Sequence, residues 1–109
     1  MMMKITASKE VENLINNEPI SIVYFTGTTC MACDVIKEKV SEIIKGYPKV
    51  KMGIINGEEE VKLAADYSVF SLPLLILYVD GKESFRASRN FSVLEFTEIL
   101  DRYYTMMEL

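Results

Sequence analysis

Two stretches of this sequence are apolar at successive positions rather than at alternate ones: Ile20-Ser21-Ile22-Val23-Tyr24-Phe25 and Leu74-Leu75-Ile76-Leu77-Tyr78-Val79. A strand sends successive side chains to opposite faces, so a strand of this kind is apolar on both and folds only if both are covered. Neither run is long enough for anything else. The longest apolar stretch, 72–79, falls far short of the roughly 20 residues of a membrane-spanning helix. Asp80 and Gly81 follow it at once, and no membrane crossing is expected.

The rest of the chain supplies the cover. Apolar residues recur at helical spacing in 6–17 (Val11, Leu14, Ile15), with Thr6 and Ser8 as capping candidates, and again in 33–45 (Ile36, Val40, Ile43, Ile44). Gly46-Tyr47-Pro48 breaks the second pattern, residues 49–56 read as a further strand, and 58–67 as a short third helix. Asp80-Gly81 is a hairpin signal that lets 82–87 pair back antiparallel, which makes the sheet mixed. Ser92-Val93-Leu94-Glu95 has the form of a capping box and opens a last helix with Leu94, Phe96, Ile99, Leu100 and Tyr103 on its core side. The opening Met1-Met2-Met3 is assigned no structural role. These elements predict an α/β chain, a three-layer α/β/α sandwich with a central mixed β-sheet, as one domain over residues 1–109.

Charge and composition narrow the function. Twelve Lys+Arg against 16 Asp+Glu leave a net charge of -4 with no basic block, so nucleic acid is not an expected partner. The chain has no histidine, which rules out a Cys-His nucleophile pair, a Ser-His-Asp triad or a His-bearing zinc site within one chain. No apolar signal region opens the printed sequence, and a cytoplasmic location is expected. Two cysteines are too few for a disulfide scaffold, so their chemistry matters more than their number.

Those two lie together in Cys30-Met31-Ala32-Cys33, where a buried strand ends and a helix begins. Unpaired backbone N–H groups and the helix dipole favour negative charge at that place. A thiolate at Cys30 can attack an external disulfide, and Cys33, one turn on, can resolve the mixed disulfide. The same pair also reads as two inert buried thiols, or as half of a thiolate-bound metal or cluster shared across a dimer. No other Cys or His is available to complete a site in one chain.

The second signal is Tyr67-Ser68-Val69-Phe70-Ser71-Leu72-Pro73, followed by a strand and then Asp80-Gly81-Lys82. With this segment the whole chain resembles the thioredoxin family, whose members combine a Cys-x-x-Cys at a helix start with a Tyr-Gly-Val-x-x-x-Pro segment and a Gly-Lys hairpin. The resemblance implies a thioredoxin-like fold and a thiol–disulfide oxidoreductase acting on protein disulfides. It implies catalytic Cys30 and Cys33, a cis Leu72-Pro73 bond, and a substrate-binding surface at Thr29, Met31, Leu72 and Pro73. It further implies a disulfide-containing protein substrate, a reductase-type electron donor, a monomer, and neither cofactor nor metal. A thioredoxin-fold adapter that holds a partner without redox turnover is the other reading.

The chain departs from the family pattern in four places. Thr29 stands where a tryptophan is common, and Met31-Ala32 replaces Gly-Pro, so neither the strongly reducing nor the strongly oxidising dipeptide is matched. Tyr24 occupies the position of a buried aspartate, and its expected role is core packing, with water or a neighbour such as Lys51 left to help Cys33 lose its proton. Ser88-Arg89-Asn90-Phe91 replaces a groove-flanking glycine. That cationic rim either narrows the groove and selects acidic partners, or consists of a solvated Arg89 and a Phe91 that staples the last helix.

Overall fold

In the computed structural model, which describes residues 2–109, the two doubly apolar runs become neighbouring central strands. Strand β2 (Ile20–Thr26) lies antiparallel to the strand formed by Leu74–Val79, with Ile20 opposite Val79 and Phe25 opposite Leu74. On its other side β2 runs parallel to the strand Val50–Asn56, from Ile20 opposite Val50 to Thr26 opposite Asn56. Counting from the N-terminus, with β1 at Met2–Lys4, these are β3 (Val50–Asn56) and β4 (Leu74–Val79), followed by β5 (Lys82–Ala87). The sheet order is β1-β3-β2-β4-β5, with β1 parallel to β3 and β5 antiparallel to β4.

Four helices cover it: α1 (Ser8–Asn17), α2 (Met31–Ile44), α3 (Val61–Asp66) and α4 (Val93–Met106). Val23 and Phe25 pack with Val11 and Leu14 of α1 and Leu63 of α3, while Ile20, Ile22 and Tyr24 pack with Ile36 and Val40 of α2 and Phe96 and Leu100 of α4. The alternation within β2 thus divides one strand between two cores, and the predicted three-layer α/β/α sandwich results. Residues 20–25 of β2 are buried, as are all six of β4.

Local chemistry sets the boundaries. Asp80 and Gly81, both at positive φ (53° and 80°), form the two-residue turn between β4 and β5, a conformation that an Asp-Gly pair adopts with little strain. Ser92 caps α4 by accepting from the Glu95 N–H at 3.1 Å, and Phe91 meets Phe96 with ring centroids 5.3 Å apart, the expected hydrophobic staple. At α1 the expected Thr6 or Ser8 cap is replaced. Ala7 holds the cap position, and the Glu10 carboxylate reaches back to accept from the Thr6 and Ala7 N–H groups, each at 3.1 Å.

Strand β1 corrects the reading of the opening methionines. Met2 and Met3 pair with Met52 and Gly53, although all of β1 is exposed. Main-chain ladder bonds to an otherwise open edge, rather than side-chain burial, account for it. Met1 lies outside the described residues.

Candidate functional site

Central strand β2 delivers the chain to the sheet's carboxyl edge, and a turn through Thr28 and Thr29 leads to Cys30. Cys30 is the N-cap residue of α2: its backbone is extended (φ -138°, ψ 96°), its carbonyl accepts from the Asp34 N–H at 3.2 Å, and its sulfur accepts from the Cys33 N–H at 3.2 Å. Cys33 lies on the first turn, with its Cα 5.2 Å from that of Cys30, and the two sulfurs are joined as a disulfide. Their exposure differs. Cys33 is fully buried under the helix, whereas Cys30 is half-buried at the surface.

Beneath the pair, Tyr24 does more than fill the core. Its hydroxyl donates a 2.6 Å hydrogen bond to the Cys33 carbonyl, and burial, then the nearby Asp34 charge, pushes its ionisation well above the usual phenol range. It therefore holds its proton as a donor. Lys51 is not near the cysteines. It pairs with Ser21 toward the opposite end of β2, and its register puts it on the Val23–Phe25 face rather than the Tyr24 face. The parallel register of β2 and β3 thus removes Lys51 as a proton-transfer partner of Cys33.

The segment between α3 and β4 forms the second wall. Ser68 turns at positive φ (58°), and Arg86 of β5 secures the turn: Nη1 donates to the Ser68 carbonyl at 3.2 Å and Nη2 to the Tyr67 carbonyl at 3.0 Å. Glu83 accepts from Nε and Nη2 of the same guanidinium, and this hydrogen bonding holds its carboxyl below the ordinary range. The Leu72-Pro73 bond is cis, as expected. Pro73 is buried, while Leu72 is half-buried and packs toward Gly57, where an added Cβ would lie 3.0 Å from its Cδ2.

Thr29, Cys30, Met31 and Leu72 line one groove. Cys33 and Pro73 lie beneath the surface rather than in its lining. Of the further lining residues, Glu58 was not identified as a site residue from sequence, and Arg89 was left between a groove rim and a solvated side chain. Glu58, at the start of the acidic run Glu58-Glu59-Glu60, accepts from the Thr28 N–H at 2.7 Å. Arg89 is not simply solvated: its Nε donates to the Leu72 carbonyl at 3.2 Å. Met31 and Phe70 flank the groove with exposures of 85% and 84%, an apolar rim beside the Cys30 sulfur. Among the described residues no group of three or more His, Cys, Asp or Glu could hold a metal ion.

A vicinal dithiol pair at a helix start, with one sulfur accessible and the other buried, defines a thiol–disulfide oxidoreductase on an α/β/α sandwich. The Thioredoxin family profile matches residues 2–100, and the chain belongs to the thioredoxin family. It is 29% identical over 98 residues to the thioredoxin-like protein YdfQ of Bacillus subtilis, covering 90% of this chain and 88% of that one. Against thioredoxin of Buchnera aphidicola it is 30% identical over 101 residues, covering 92% of this chain and 94% of that one. The crystal structure of Fasciola hepatica thioredoxin superposes with a TM-score of 0.80 at 30% identity, covering 94% and 99% of the two chains. The protein is a protein-disulfide oxidoreductase of this family, and it works with disulfide substrates and reductase partners of the general thioredoxin kind.

Proposed function

We propose that Cys30 is the attacking sulfur and Cys33 the resolving one, and that Thr29, Met31, Leu72 and Pro73 present the partner's disulfide to Cys30. The difference in exposure of the two sulfurs carries this reading: an incoming disulfide can reach half-buried Cys30 but not Cys33. The Cys33 N–H aimed at the Cys30 sulfur, and the α2 N-terminus beneath it, favour the thiolate there.

In the reduced protein the Cys30 thiolate attacks one sulfur of the partner disulfide. A bond forms from Cys30 to that sulfur, the partner's S–S bond breaks, and the second partner sulfur leaves as a thiolate that takes up a proton. Cys33 then loses its proton and attacks the Cys30 sulfur, which releases the first partner sulfur. The partner gains two electrons and two protons, and the protein is left with the Cys30–Cys33 disulfide seen in the structure. A dithiol donor of the thioredoxin-reductase kind restores the reduced pair.

The half-buried Leu72 backbone beside cis Pro73 offers main-chain groups to an extended partner segment, in the manner of strand addition. We place the reaction in the cytoplasm, in cell redox homeostasis and electron transport, with residues 1–109 acting as one monomeric domain. Both cysteines come from one chain, and among the described residues no helix is long and apolar enough to cross a membrane. Insulin reduction by dithiothreitol tests the function. The protein should accelerate it and Cys30→Ser should not; equal acceleration by both would overturn the assignment.

A further inference from the structure

The two arginines that bond to the main chain of residues 67–72 are used differently. Arg86 commits its guanidinium to Glu83 and to the Tyr67 and Ser68 carbonyls. Arg89 makes one hydrogen bond, from Nε to the Leu72 carbonyl, and among the described residues no carboxylate pairs with it. The four N–H donors on its Nη atoms lie on an exposed side chain in the groove wall.

The Leu72 contact fixes where those donors sit. A carbonyl oxygen has two lone pairs, so Leu72 can hold the Arg89 Nε and still accept an N–H from an added partner segment. The guanidinium is then anchored beside that segment with its planar fork free, a geometry that matches a carboxylate bidentately. The same groove also holds Glu58, already engaged with the Thr28 N–H, so its lining carries one guanidinium and one carboxylate. The whole chain, at -4, disfavours acidic partners at long range, which makes any preference for them local in origin.

We propose that Arg89 is a specificity-determining residue that selects partner segments bearing an Asp or Glu side chain next to their reactive disulfide. This rests on the thiol–disulfide reading of the groove, and the test separates the two. Two short peptides, each closed by one disulfide and differing only in Glu or Gln beside a cysteine, are reduced by the reduced protein at low salt. The unmodified protein should reduce the Glu peptide about threefold faster than the Gln peptide, in keeping with an exposed ion pair. Arg89→Gln should bring the ratio to about one and Arg89→Glu should take it below one. Salt at about 0.5 M should flatten all three.

Because each protein is compared with itself on two peptides, a general loss of activity cancels. Equal rates on the two peptides, or a ratio that neither substitution moves, overturns the role of Arg89 while leaving the oxidoreductase reading intact. Failure to reduce either peptide sinks that reading and the selectivity with it.

Discussion

The Tyr24 hydroxyl donates to the Cys33 carbonyl across 2.6 Å, tying central strand β2 to the first turn of α2 directly beneath the dithiol pair. Where the family pattern has an acid, this chain has a neutral donor that braces the helix rather than a base that accepts a proton. Removing the hydroxyl in Tyr24→Phe takes one hydrogen bond from a buried carbonyl, at a cost of about 1 kcal/mol. A urea titration of the oxidised protein should show that loss. An unchanged midpoint would mean that the bond contributes nothing net.

Alkali should destabilise the fold through the same residue and one other. Burial pushes Tyr24 above the usual phenol range and raises Tyr78 to about 12. Both folded-state values are raised, so the unfolded chain loses its phenolic protons first. The stabilisation is whole below pH 10 and declines as the pH climbs from there toward about 12. Near pH 11 the Tyr78 contribution alone should have fallen by about 1 kcal/mol. Urea midpoints from pH ~9 to ~11 should fall less steeply in Tyr78→Phe than in the unmodified protein; parallel slopes would contradict this.

Ser68 turns the wall segment at φ 58°, a left-handed conformation that a Cβ disfavours. Glycine adopts it freely but costs more backbone entropy. Ser68→Gly should therefore stabilise the protein by up to about 1 kcal/mol, the strain relieved less the entropy added. The Arg86 bond to the residue 68 carbonyl involves main chain and should survive. Thermal unfolding of the variant checks the sign, and a lowered midpoint would rule out strain at this turn.

What could be read from sequence was whatever local chemistry encodes. The doubly apolar runs forced cover on both faces of a sheet, Asp80-Gly81 turned the hairpin, and Cys30-Met31-Ala32-Cys33 fell at a strand end because β2 stops at Thr26. Strand β1 was not legible, since three exposed residues held by a backbone ladder have no apolar pattern. Lys51 was misplaced because a parallel register is a relation between distant segments. Arg89 on the Leu72 carbonyl, Glu58 on the Thr28 N–H and Tyr24 on the Cys33 carbonyl are all side chains meeting main chain far away in sequence. A backbone acceptor looks the same at every residue, so no motif announces such a bond.

Gly53 shows the same limit within one strand. An added Cβ there would run into Ile5 and lie 2.9 Å from Leu14 Cδ2, so the glycine marks where α1 and the segment before it close on the sheet. Nothing adjacent to it in sequence predicts that approach.

The assignment of attack to Cys30 and resolution to Cys33 is tested most directly by trapping. Cys33→Ser and Cys30→Ser, each reduced, are incubated with a disulfide-closed peptide, quenched with acid and weighed intact. The expected result is that Cys33→Ser carries one peptide on Cys30, while Cys30→Ser, whose remaining sulfur is buried, carries none on the same timescale. Adducts forming on Cys33 as fast as on Cys30, or on neither, would contradict it.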